Sequence, residues 1–276
     1  HRPLRHGQHP PPDCRGAAGT GGMIRTLALA LLVGGPVLAT PAADAFAAGR
    51  FPDAVALGRA GATAEDRIAA ARAASVIATY ETRDRAEARR LLEAAVADAD
   101  AAVRLAPGSS RALLERAIVT GYLGKLKGSA GNARASRRDV ETVLAREPDN
   151  ALAHAVLGGW HGETVATVGP LVARTAVGAR KEESLRHFER ALALDGASVL
   201  YPVFYAFTLL ALDPRANAQK AEALLARADR NRPADAYERL VQANGRQVLA
   251  ALRAQDVARA ATLARRLSPL GQIAAG

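Results

Sequence analysis

The sequence predicts an all-α fold, a right-handed α-solenoid of antiparallel helix pairs, on three observations. Alanine makes up roughly a quarter of the 276 residues while only 4% are aromatic; alanine costs least in a helix, and the residues that favour strands are sparse. Apolar residues recur at i, i+3, i+4 spacing in block after block. Leu91, Leu92, Ala95, Ala99, Ala102 and Val103 form one such stripe, and Leu185, Phe188, Ala191 and Leu192 another. The prolines after residue 46 (Pro52, Pro107, Pro148, Pro170, Pro202, Pro214, Pro233 and Pro269) sit at block edges, as expected of a residue without the amide proton a helix interior needs. Helices are placed at 52–60, 64–82, 84–106, 110–127, 132–147, 150–167, 180–195, 199–212, 215–231, 234–254 and 256–268.

In chain order, residues 1–22 come first. They hold three of the six histidines, four of the fourteen prolines and the only cysteine, Cys14, with no periodicity. The one methionine is Met23, so the stretch reads as a spurious extension, with a natural disordered arm as the alternative. From Met23 the layout is that of a secretory signal peptide over 23–45. Arg25 gives a positive start, Thr26–Leu38 is apolar, and Ala43-Asp44-Ala45 is a small-x-small cleavage site. An uncleaved anchor is the rival, but Gly34-Gly35-Pro36 interrupts the apolar run. Residues 46–276 are the expected mature domain. Without cysteine it suits a bacterial periplasmic or secreted location, with no stable membrane insertion after cleavage.

The helical blocks end alike. Ala95, Ala99, Ala102 and Pro107 are spaced by four, three and five residues. Ser184, Phe188, Ala191 and Gly196 repeat that spacing, as do Ala221, Leu225, Ala228 and Pro233, and, with weaker residues, Ser136, Val140, Val143 and Pro148. Small residues there let two helices approach closely, and one pair cannot bury its apolar face alone, so the pairs must stack. These endings resemble the second helix of a tetratricopeptide repeat, and the first helix is best matched by Asn150–Gly158, with its Leu157-Gly158 step. The periods between block ends, 41, 48 and 37 residues, exceed the usual 34 or so. The longest carries Trp160-His161 ahead of an apolar insert. With the helix Leu185–Leu192, this is similar to the atypical repeat region of the regulator-of-microtubule-dynamics proteins and their bacterial relatives, many of them exported. The resemblance implies interaction, not catalysis. The leader argues against carrying the microtubule partner over.

Catalytic constellations are not expected, nor any cofactor or metal. His154 and His161 stand two helical turns apart, and His161-Gly162-Glu163 lacks the Pro-Cys-x-x-Cys that zinc deaminases pair with His-x-Glu. Gly128-Ser129-Ala130-Gly131 is not a nucleophile elbow and reads as a loop, with Asn132 as a helix cap. Glu182-Glu183 complement the dipole at a helix start.

The partner-binding candidates are Tyr122, Lys125, Lys127, Trp160, His161, Tyr201 and Tyr205. Tyr122, Lys125 and Lys127 gather a tyrosine and two of the few lysines at a helix end, where a solvated last turn is the plainer reading. Trp160, the only tryptophan, is either a core plug, the favoured reading, or a concave-face anchor. Tyr201, Phe204 and Tyr205 can share one helix face, mostly core, with one hydroxyl at a groove edge. The uncharged insert 164–173 packs inside or offers an apolar contact. The expected function is a non-catalytic scaffold binding a protein or peptide in a concave groove. Two alternatives are a transporter-associated or small apolar ligand-binding periplasmic protein, favoured if Trp160 and the insert enclose a cavity, and an enzyme, favoured if His161 and Glu163 face His187 or another carboxylate within metal-bonding reach. The net charge of +10 invites nucleic acid. However, basic residues mostly alternate with acids along the helices, and no stripe pairs them with stacking aromatics, so no nucleic-acid partner is expected.

Overall fold

The structure is a computed structural model that describes residues 40–273. The extension 1–22, and the leader as far as residue 39, lie outside the described residues. Within them there are thirteen α-helices, one π-helical turn and no strand. The helices are α1 (Pro41–Ala47), α2 (Phe51–Ala60), α3 (Ala64–Val76), α4 (Arg85–Leu105), α5 (Ser110–Lys127), α6 (Ala130–Arg146), α7 (Ala151–Val168), α8 (Pro170–Val177), α9 (Lys181–Leu194), α10 (Leu200–Leu212), α11 (Pro214–Arg230), α12 (Ala236–Arg253) and α13 (Val257–Leu267). The π-turn Ile77–Glu81 continues α3. All eleven expected helices are present. The two not foreseen are α1, where the leader was expected to end, and α8, where the insert folds because Pro170 starts a helix as readily as it breaks one. Asn132 is not the cap of α6: Ser129 takes that place, its Oγ accepting the Asn132 amide proton at 3.2 Å.

The recurring spacing is the seam of the core. All twelve apolar or small residues of the four block endings are at most 2% exposed. The two serines among them do the same work. Ser136 Oγ donates to the Ala117 carbonyl on α5, and Ser184 Oγ to the Gly158 carbonyl on α7, each at 2.7 Å. The facing residues are small for the same reason. An added Cβ on Gly121 would stand 3.2 Å from Ser136 Oγ, and on Gly162 2.5 Å from Ser184 Oγ, so the helices meet backbone to side chain.

Each helix packs mainly on its neighbours in sequence, but the chain also closes on itself. Phe46 of α1 meets Tyr237 of α12, with ring centroids 6.4 Å apart, and Arg72 of α3 reaches Asp235 at 3.7 Å. The tail after α13 returns to the π-turn and to α4 and α5. Leu270 donates its amide proton to the Thr79 carbonyl (3.0 Å), and its side chain is buried against Ala78, Leu123 and Leu126. Lys125 Nζ fixes the tail by donating to the Pro269 carbonyl at 3.2 Å.

Candidate functional site

The inner face encloses a cup of about 570 Å³, within the range of small-ligand sites. Its apolar wall includes Phe46, Ile118, Leu152, Val156, Trp160 and Phe204. Val168 of α7 and Val172 of α8 also line it, both about half exposed. Charged groups enter from four sides: Arg72, Arg111 and Lys125 against Glu115, Glu163, Asp195 and Glu238. Arg111 is engaged outside the cup with Glu65 at 2.9 Å, and Lys125 pairs within it with Glu163 at 2.8 Å.

Glu115 is the distinctive group. It is 6% exposed, and its one polar partner among the described residues is Arg72 Nε at 4.0 Å, beyond hydrogen-bond length. Burial pushes its carboxyl up to about 7, against the pull of Arg72 and Arg111. Tyr122 and Tyr237 stand beside it in the cup. Burial drives Tyr122 well above the usual phenol range and Tyr237 up to about 12, and the Glu115 charge adds to both. The π-turn brings Tyr80 into the same group, edge-on to Tyr237 with centroids 6.0 Å apart.

A second cluster lies behind the cup, where α7 packs on α9. His161, Glu183 and His187 offer ligand atoms within 4.8 Å of one another. Their hydrogen bonds determine what they can do. His154 Nε2 donates to the Pro148 carbonyl (2.9 Å), so its Nδ1 accepts from His187 Nδ1 at 2.8 Å, and His187 Nε2 accepts from Arg186 at 3.1 Å. His161 Nδ1 accepts the Arg180 amide proton at 3.1 Å, which leaves the proton of the neutral ring on Nε2. His161 thus has no free lone pair for a metal, and Arg137 and Arg186 add positive charge alongside. Burial first, then Arg137 and Arg186, lowers His161 to about 4, and burial, then Arg186 and the two neighbouring histidines, lowers His187 to about 4. The cluster as built is a network of neutral rings that also holds the end of the α8 segment through Arg180.

The family described as Regulator of microtubule dynamics protein 1-3 matches residues 61–253, well over half of the chain. The chain belongs to that family. Among curated proteins and solved structures nothing matches significantly. The family match runs from the turn before α3 to the end of α12. It thus contains Arg72, Glu115, Trp160 and the histidine cluster, while α1 and the closing tail lie outside it.

The expected binding residues divide. Tyr122, Lys125, Trp160 and Tyr201 line the cup. Trp160 is also core, packed with Leu113, Val140 and Leu157, and its Nε1 donates to the Ala133 carbonyl at 2.9 Å. Tyr201 is 9% exposed, and burial raises its phenol to about 12. Lys127 stands outside the cup, 3.6 Å from Glu93. His161 faces the histidine cluster. Tyr205 shares no cup face with Tyr201: it stacks on Phe188 at 4.8 Å and donates to Glu189 at 2.9 Å. Glu163 pairs with Lys125 and does not join His161 and His187. The residues that reading the sequence missed are Glu115, Arg72 and Tyr237.

Proposed function

We propose that this chain is an exported, non-catalytic binding module whose ligand sits in the cup. Its helix pairs run antiparallel in a right-handed, tetratricopeptide-like superhelix. The observation that carries this reading is the apolar-lined cavity with one largely buried carboxylate, Glu115, that accepts no hydrogen bond among the described residues. Its size favours a small apolar ligand, or the tip of a peptide, over a docked helix. One helical turn with its side chains fills roughly 500 Å³, so a partner helix would not fit beyond its first turn. Trp160 and the insert helix α8 both line the cavity, the arrangement that favours the small-ligand alternative. The microtubule named in the family's description is not proposed as the partner, because a secretory leader sends the chain away from it.

The test uses Nile red, a neutral apolar dye, and emission of the only tryptophan. Saturable one-to-one binding, with energy transfer from Trp160, is expected for the wild type. Val156→Lys, which places a charge on the half-buried wall, should abolish it. A wild-type protein that takes up no dye would sink the reading.

Processing is proposed to fall before Thr40, after Val37-Leu38-Ala39, not after Ala45. Thr40 caps α1 by accepting the Ala43 amide proton at 3.2 Å, and Ala45 and Phe46 are buried, at 0% and 3% exposure. Cutting after Ala45 would remove five of the seven residues of α1, the helix that carries Phe46 into the cup lining. Intact-mass analysis of exported protein should give a chain starting at Thr40. A start at Phe46, or a retained Met23, would contradict this.

A further inference from the structure

We infer that the cup recognises an organic ammonium group at Glu115, carried by an apolar body that fills the remaining groove; this deepens the binding function proposed above and rests on it. Glu115 is 6% exposed and accepts no hydrogen bond among the described residues, its nearest cation being Arg72 at 4.0 Å, so what access its oxygens keep is at the cup. That arginine is shared, since it also reaches Asp235 at 3.7 Å and lies over the Phe46 ring at 4.3 Å. Glu115 therefore keeps accepting capacity directed into the cup.

Charge points the same way. The whole chain carries +10, yet the cup is lined by four carboxylates against three cations. Arg111 is tied down by Glu65, and Lys125 and Glu163 neutralise each other, which leaves Glu115, Asp195 and Glu238 against Arg72. A ligand carboxylate would meet Glu115 as a like charge. An ammonium would complete its pairing, and the rings of Tyr122 and Tyr237 beside it are suited to cations. Because burial holds the Glu115 carboxyl near 7, an arriving ammonium displaces a proton around neutral pH, so binding releases protons there.

The ammonium can come from a small alkylamine or from a lysine side chain on a peptide, and the probes separate the two. Nile red is displaced from the full chain at pH 8 by n-octylammonium, n-octanol or n-octanoate. It is also challenged with a blocked leucine-rich peptide bearing one lysine, and with the same peptide bearing norleucine. Octylammonium, the lysine peptide or both should compete at about tenfold lower concentration than their uncharged or anionic counterparts, as expected when a charged hydrogen bond is added. Glu115→Gln, confirmed folded by circular dichroism, should lose that preference when the same competitors are titrated directly by calorimetry. Equal competition by octanol or octanoate, or a preference that survives in Glu115→Gln, overturns the ammonium assignment while leaving the binding function standing. Failure of Nile red to bind the wild type overturns both.

Discussion

Gly162→Ala is expected to lower stability by about 2 kcal/mol, even though alanine is the better helix former by about 1 kcal/mol. The sign is what makes the substitution informative. Gly162 lies inside α7 where that helix meets both α9 and α10. A Cβ there would stand 2.2 Å from Thr208 Cγ2 and 2.5 Å from Ser184 Oγ. Neither neighbour has room to turn away: Ser184 is fully buried and bonded to the Gly158 carbonyl, and Thr208 is 4% exposed. The helices must move apart, and overpacking of this kind typically costs 1–3 kcal/mol. A loss of about 2 kcal/mol corresponds to roughly 4–8 °C in Tm for a domain of this size. Thr208→Ser removes the nearer methyl and should recover part of the loss, as a double-mutant cycle would read. Gly108→Ala is the control: its Cβ would have nothing within 4 Å, so it should be neutral or slightly stabilising. If Gly162→Ala melted at or above the wild-type temperature, the close packing of α7 on α9 and α10 would be wrong.

The same seam explains why so much of the fold was legible. Helix periodicity, proline punctuation and the four–three–five spacing are local properties, and local properties fix which face of each helix is buried. Ala95, Phe188 and Leu225 could be placed in the core without knowing what they touch. The cup was not legible, because it depends on closure. Phe46, Arg72, Glu115 and Tyr237 come from α1, α3, α5 and α12, and no spacing links residues so far apart. One sign was available. On α5, Glu115 falls on the stripe shared by Val119, Tyr122 and Leu126, at i, i+4, i+7 and i+11, so a carboxylate occupies an inward position. His161 was misplaced for a related reason. It neighbours Trp160 in sequence, but adjacent helical residues point about 100° apart, and the turn from one to the next carries it out of the cup and onto α9. Helix α8 was not legible because Gly169-Pro170 ends α7; the proline that stops one helix begins the next.

Lowering the pH from 6.5 to 4 is expected to destabilise the protein through the histidine cluster, and Glu115→Gln should make that loss larger. His161 and His187 are buried, at 3% and 5% exposure, and titrate near 4 in the fold, against about 6.5 in an unfolded chain. Over that interval the unfolded state takes up protons the native state refuses. Stability is thus present in full above pH 6.5 and falls as the pH drops toward 4, by on the order of 3 kcal/mol per ring. Glu115 works in the opposite direction. Its native carboxyl titrates near 7, well above the usual glutamate value, so the native state takes the proton first and gains stability as the pH falls from 7 through the ordinary glutamate range. In the wild type this gain offsets part of the histidine loss, and the measured profile is shallower than the cluster alone would make it. Glu115→Gln removes the offset and should also raise stability at pH 8, where the ionised carboxylate is otherwise buried beside only Arg72. His161→Gln and His187→Gln remove a titrating ring each. Whatever they cost at pH 7.5, each should flatten the decline between pH 6.5 and 4.5. Below that window the paired carboxylates Glu87, Glu93 and Glu189, all held low in the fold, begin to lose their partners in every variant, so the comparison belongs above pH 4.5. Denaturant titrations at half-unit pH steps for the four proteins would decide it. A Glu115→Gln profile no steeper than the wild type, or histidine variants with an unchanged slope, would contradict the assignment of these groups.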